Sequence, residues 1–206
     1  MDAIDKVRTQ TRSLVRHVAI AVNSVSQGKI TPDMVTLAAL VLHAFIAWLI
    51  INHLFAVAGA ALIVFGLFDS LDGELARVQQ KESDWGMILD ATSDRLKEGI
   101  LYFALAYWFF GQNYGIGVFL ALAALISSYA VSYIKAKAET VIAASKLSAA
   151  KANKFFAVGL ARYELRMAIL VLGLFFNVLN PALTIISVLS FLTLVQRAVT
   201  IRQAVN

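Results

Sequence analysis

Asp69-Ser70-Leu71-Asp72-Gly73-Glu74-Leu75-Ala76-Arg77, followed by Gly86, Asp90 and Asp94, is the stretch on which the reading of this chain turns. It sets four aspartates, an arginine and two glycines inside a chain that is 60% hydrophobic and only 15% charged. Carboxylates beside a membrane core are costly unless a cation or a partner neutralises them. The flanking sequence says that such a core is present. Met34–Phe68, Gly99–Ile134 and Met167–Gln196 contain no Asp, Glu, Lys or Arg. The first run accommodates two short spans of roughly 17–20 residues joined by a turn, and the other two, each broken by polar residues, are read as hairpins in the same way.

Polar breaks mark those turns at Asn52-His53, at Gly111-Gln112-Asn113-Tyr114-Gly115 and around Asn177 to Pro181. Three hairpins predict six transmembrane helices in an all-α integral membrane protein. Every charged residue then falls in Met1–Asp33, Asp69–Glu98, Lys135–Arg166 or from Arg197 onward. With six spans these segments share one side, and their lysines and arginines make it the cytosolic side, both termini included. The expected location is the cytoplasmic membrane, with the aspartate stretch at the cytosolic mouths of the second and third helices.

Residues 1–30 form an expected juxtamembrane region in front of a six-helix domain, 31–206. Ile4, Val7, Leu14, Val18, Val22 and Val25 recur at helical spacing, with Lys6, Arg8, Arg12 and Arg16 among them. That pattern suits an amphipathic helix in the cytosolic interface, or alternatively a helix packing on a partner. Gln79 to Asp84 and Gly86 predict a connection of about ten residues between the second and third spans. Lys135 to Lys154 reads as a basic, Ala-rich linker.

Composition excludes several chemistries. No cysteine is present, so disulfides, zinc-thiolate sites and thiol nucleophiles are ruled out. Three scattered histidines, His17, His43 and His53, argue against a histidine metal centre. The net charge of +5 reports membrane topology and anionic lipid rather than nucleic acid.

On helices, Asp69 and Asp72 share one face, and so do Asp90 and Asp94. Oxygen ligands without His or Cys suit Mg2+ or Mn2+ rather than zinc. Magnesium shares its coordination with substrate phosphates, so the cluster implies a phosphorylated substrate. Gly73 admits close approach of a ligand or neighbouring helix, and Arg77 suits bidentate phosphate recognition. The bland alternative is plain salt bridging to Arg77, Arg95 and Lys97. A magnesium channel is a further alternative, but the far-side turns carry no charge, and a conduction path needs polar groups on both sides.

The pattern Asp-x2-Asp-Gly-x2-Ala-Arg-x8-Gly-x3-Asp-x3-Asp resembles the signature of the CDP-alcohol phosphotransferase family at all eight of its positions. Thr31-Pro32-Asp33-Met34-Val35-Thr36 resembles the segment before that family's first membrane helix. The resemblance implies transfer of a lipid phosphate from a CDP-linked lipid such as CDP-diacylglycerol to an alcohol, with release of CMP. It implies two metal ions held by Asp69, Asp72 and Asp90 with help from Asp94, which also acts as general base. Pro32, Asp33, Met34, Val35, Gly73, Ala76, Arg77 and Ser83 match positions that contact the CDP group. Family members are often homodimers, which implies the same here.

The later chain bears on the acceptor. Ser132-Tyr133-Ile134-Lys135-Ala136-Lys137-Ala138-Glu139 resembles a stretch of the family's phosphatidylinositol-phosphate synthases, whose basic residues help bind the phosphate of inositol 1-phosphate. Gly159 to Arg166 resembles the segment opening the fifth helix of that subgroup, which more often has an acidic-basic pair where Arg162 and Tyr163 stand. A cationic pocket of Lys135, Arg162 and Arg166 suits an acceptor that carries a phosphate. Inositol 1-phosphate is the expected acceptor, and glycerol 3-phosphate or another polyol phosphate is the rival. For each basic residue the alternative is anchoring to anionic lipid.

Overall fold

Helix boundaries follow the local chemistry closely. Thr31 caps a helix whose first residue is Pro32, and its Oγ1 accepts from the Met34 N–H at 3.3 Å. Proline suits that first position because its missing N–H would have no helical partner there. Ser83 does the same for the helix beginning at Asp84, accepting from the Gly86 N–H at 3.0 Å. In this computed structural model, which describes residues 3–66, 70–144 and 162–205, eight helices follow one another. They are α1 (Ala3–Ser26), α2 (Pro32–Ile51), α3 (Phe55–Gly66), α4 (Leu71–Gln79) and α5 (Asp84–Gly111). Then come α6 (Gly115–Ala144), α7 (Tyr163–Phe175) and α8 (Leu179–Val205), with no strand among the described residues.

The three predicted hairpin turns lie between α2 and α3, α5 and α6, and α7 and α8. Each contains a non-glycine residue in the left-handed region: His53 (φ 63°), Asn113 (φ 54°) and Asn177 (φ 53°). At two of them the chain closes with paired reverse hydrogen bonds. Tyr114 N–H reaches the Phe109 carbonyl and Asn113 N–H that of Phe110, while Val178 and Asn177 reach Gly173 and Leu174. This is the Schellman closure, which satisfies otherwise orphaned carbonyls at a helix end. The accompanying apolar contact is present too, with the Phe109 and Tyr114 rings 5.7 Å apart.

Four stretches are long and apolar enough to cross a membrane: Pro32–Ile51, Phe55–Gln79, Gly115–Val141 and Leu179–Gln203. The all-helical architecture and these stretches agree with an integral membrane protein. The other two expected spans coincide with α5, whose first half is charged, and with the short α7. The connection expected to run for about ten residues is shorter, covering only residues 80–83. The α4 helix continues through the polar run to Gln79, and the Ser83 cap starts α5 at once. The expected basic linker begins as helix, since α6 carries Lys135 and continues to Ala144; residues 145–161 lie outside the described set.

The chain divides into two compact units. Met1–Leu49 with Ala60–Leu101 form one, and Ile50–Gly59 with Tyr102–Asn206 the other. In the first, α1 packs along α4: Val15 and Ala19 join Val35, Leu71 and Leu75 in a buried cluster flanked by Val22 and Val78. Gln79 fastens the end of α4 by donating to Asn23 Oδ1 at 3.0 Å and to the Ile30 carbonyl at 2.8 Å. Leu14, Val18 and Val25 of the expected apolar face stay exposed. The helix therefore has two apolar strips, one packed on α4 and one open.

In the second unit, α6 pairs with α8 and α8 with α7. The α6–α8 pair is parallel and held in one register: Asn180 donates to the Tyr114 hydroxyl at 3.3 Å, and Arg197 donates to the Val131 carbonyl at 2.8 Å. Both bonds join residues 66 apart in sequence, so the two ends agree on the alignment. Between α7 and α8 small residues permit a close approach. A methyl placed on Gly173 would lie 2.5 Å from Ala182 Cβ, nearer than packing allows.

Candidate active site

The site begins with α4, a short helix anchored on α1. Its Asp72 is only 5% exposed, and both carboxylate oxygens have a protein donor. Thr36 Oγ1 donates to Oδ2 at 2.6 Å, and the Gly73 N–H donates to Oδ1 at 2.7 Å. Buried carboxylates require such partners, because leaving water without replacing its hydrogen bonds is expensive. Gly73 itself stands open. A Cβ added there meets no atom within 4 Å among the described residues, so the glycine is not explained by helix packing.

Arg77 follows on α4 and is half exposed. It pairs with Glu74 at 2.6 Å and with Glu82 at 3.5 Å. Glu74 is buried, so the ion pair tethers the stem of the guanidinium while leaving an exposed cation beside Ala76. Pro32 to Val35 form the first turn of α2, in the same unit, and Val35 lies in the cluster with Leu71 and Leu75. Ser83 and Gly86 meet at the start of α5 through the cap already described.

Asp90 and Asp94 stand one turn apart on α5, both partly buried. Asp94 is flanked by cations: Lys97 Nζ donates to Oδ1 at 3.0 Å, and Arg95 lies 3.6 Å from Oδ2. Lys97 is wholly buried, and Arg95 also approaches the buried Glu98 at 3.8 Å. Part of the salt-bridge alternative is therefore present. It touches Asp94 and the neighbouring glutamates.

The donor set has the chemistry of a hard divalent cation, since Asp72, Asp90 and Asp94 supply carboxylate oxygen only. Asp69 lies outside the described residues. Among those described, no three acidic or histidine side chains gather closely enough to hold a metal ion. Three of the four expected ligands are thus placed on two helices of one unit, and Asp72 is already fixed by its donors.

A second group of polar side chains belongs to the other unit. Arg166 on α7 is 2% exposed, and Arg197 on α8 is 7% exposed. Arg197 joins α8 to α6 through the Val131 carbonyl, and it lies within electrostatic reach of Arg166, Arg162 and Glu139. Arg162 is exposed just before α7, and its carbonyl accepts the first helical N–H, that of Arg166. Lys135 is 47% exposed and sits 3.6 Å from Glu139. Arg197 is absent from the sequence-derived pocket. Its only signal was its place as the first charge after the last apolar run, which reads equally well as an end-of-helix anchor.

Comparison with known proteins identifies the family. Residues 29–201 match the model of the CDP-alcohol phosphatidyltransferase family. The phosphatidylinositol phosphate synthase of Cutibacterium acnes is 31% identical over 181 residues, covering 85% of this chain and 87% of the relative. An archaetidylinositol phosphate synthase of Pyrococcus horikoshii is 27% identical over 194 residues, with 94% of each chain covered. Among solved structures, phosphatidylinositol phosphate synthase of Mycobacterium tuberculosis with CDP-DAG bound superposes with a TM-score of 0.77 at 27% identity, covering 92% of this chain and 94% of that one. A crystal of the same enzyme with manganese and citrate gives 0.76 at 26% identity, covering 91% and 88%. With the eight-position signature, the buried aspartate and the match over residues 29–201 together, the chain belongs to the CDP-alcohol phosphatidyltransferase family.

Proposed function

We propose that this protein transfers the phosphatidyl group of CDP-diacylglycerol to inositol 1-phosphate, giving phosphatidylinositol phosphate and CMP. The similarity over most of the chain to enzymes of that name supports the reaction. The observation that carries the acceptor is the basic centre formed by Arg162 and Arg166 at the start of α7 with Arg197 on α8. An acceptor bearing a phosphate requires such a centre, and serine or choline would not.

In this reading Asp94 takes the proton from the acceptor hydroxyl as its oxygen attacks the lipid-bearing phosphorus. The bond from that phosphorus to the bridging oxygen breaks, and CMP carries the electrons away. Lys97 holds one oxygen of Asp94 and so orients the base. Open space over Gly73, the half-exposed Arg77 and the first turn of α2 receive the CDP group. Arg166, Arg162 and Lys135 bind the acceptor's phosphate, with Arg197 beside them. Asp69, Asp72, Asp90 and Asp94 are the residues that would hold two Mg2+ or Mn2+, which would supply neutralisation of the diphosphate and of the leaving oxygen.

The same reading places α2, α3, α5, α6, α7 and α8 as six spans, with both termini and the site on the cytosolic side of the cytoplasmic membrane. Aromatic rings at the far turns support placing those turns at a membrane interface, which such rings favour. Trp108 packs edge-on against both His53 and Phe55, at 5.3 and 4.9 Å. The open strip of Leu14, Val18 and Val25 supports the reading of α1 as an interfacial helix of the juxtamembrane region 1–30. A homodimer is the proposed assembly.

The test is metal-dependent CMP release from CDP-diacylglycerol by purified protein, with inositol 1-phosphate and glycerol 3-phosphate offered separately. Release driven by inositol 1-phosphate is expected. Release with glycerol 3-phosphate alone overturns the acceptor, and no release with either overturns the enzyme.

A further inference from the structure

We infer that Thr36 is a positioning residue: its hydroxyl locks the Asp72 carboxylate for a divalent cation and ties that carboxylate to the first turn of α2. The inference rests on the metal-dependent reading above.

Thr36 and Asp72 are both buried, at 4% and 5% exposure, and stand on different helices. Thr36 Oγ1 lies 2.6 Å from Asp72 Oδ2 and 3.2 Å from the Pro32 carbonyl. A hydroxyl has one proton, and the shorter contact to a carboxylate is the stronger acceptor of it. With the Gly73 N–H on Oδ1, each oxygen of Asp72 is held from a different direction, so the carboxylate cannot rotate. A carboxylate oxygen accepts more than one bond, so neither donor alone exhausts the capacity of the oxygen it holds. Donors behind a ligand that fix its orientation are worth about 10- to 100-fold in metal affinity.

The placement of Thr36 adds a second consequence. It is one helical turn beyond Pro32, in the helix whose first residues are proposed to meet the CDP group. Val35, its neighbour, packs with Leu71 and Leu75 on either side of Asp72. One buried hydroxyl and one apolar contact therefore couple the nucleotide segment to the metal ligand. Neither is visible in sequence, since the partners are 36 residues apart.

The test uses the full-length chain in detergent, titrated with Mn2+ by calorimetry and by electron paramagnetic resonance, without lipid or acceptor. Thr36→Val keeps the shape and removes the hydroxyl, and about 10- to 100-fold weaker Mn2+ binding is expected. Thr36→Ser keeps the hydroxyl and retains wild-type affinity. Thr36→Ala serves in place of valine if that variant does not fold. Unchanged Mn2+ affinity in the valine or alanine variant overturns the inference, and so does equal loss in the serine variant. If the wild-type chain binds no Mn2+, the metal-dependent reading itself falls, which separates the two failures.

Discussion

The aspartate unit and the basic centre are built in opposite ways. Asp72, Gly73, Ala76, Arg77, Gly86, Asp90 and Asp94 come from one short window on α4 and α5. Their relation is mostly helical geometry, which spacing alone predicts. The basic centre gathers Arg162, Arg166 and Arg197 with Glu139 from helices far apart in sequence. Its assembly depends on the register of α6 against α8, set by Asn180 on Tyr114 and Arg197 on Val131. Burial differs as well. In the basic centre the guanidinium of Arg166 is nearly inaccessible, whereas Lys135 stands in solvent beside its own glutamate. In the proposed reading, the shared transfer chemistry belongs to the local window and the choice of acceptor to the non-local one.

Breaking the local half has the largest effect. Asp94→Asn removes the base, and turnover falls by about 10²- to 10⁴-fold while CDP-lipid binding persists, measured by CMP release and by lipid-binding titration. Full activity in this variant ends the base assignment. In the non-local half, Arg166→Ala raises the acceptor KM about 10- to 100-fold with the KM for CDP-lipid unchanged, as loss of a charge-assisted bond requires. Equal effects on both substrates would contradict separate binding regions.

Gly73→Ala separates ligand space from packing space. Among the described residues nothing lies near the added methyl, so the folded protein keeps or slightly gains thermal stability, as alanine in a helix should. The KM for CDP-lipid nevertheless rises about tenfold, through overpacking against the bound nucleotide. A drop in melting temperature would return Gly73 to a structural role. The smallest effect belongs to Lys135→Ala. Its exposed pairing with Glu139 limits the change in acceptor KM to below about fivefold, with CDP-lipid KM unaffected. An effect as large as that of Arg166 would show that Lys135 leaves Glu139 to hold the acceptor directly.

The α1 helix shows where periodicity stops. Its apolar spacing is legible, yet it cannot say which strip faces protein. Val15 and Ala19 were not among the residues selected by that spacing, and they are the ones buried against α4. Leu14 and Val15, like Val18 and Ala19, stand about 100° apart on the helix, and only a neighbour decides which strip is covered. Arg77 gives a similar lesson. Its spacing marks it as a phosphate ligand, but its pairing with Glu74 and Glu82 depends on how α4 ends and how soon α5 starts. That shortness was missed because polar residues Gln79 to Asp84 look like a loop while Ser83 caps a helix within them.

Sequence by itself determined the helical membrane class, the hairpin turns and the aspartate signature. Each of these rests on short-range physics: the exclusion of charge from hydrocarbon, the left-handed residues that end helices, and the period of the helix. Tertiary structure alone decided which donors hold Asp72, which strip of α1 is covered, and that Arg197 joins Arg166. Those outcomes come from packing between distant helices, where a shift of one residue in register exchanges one partner for another, and no local pattern records the choice.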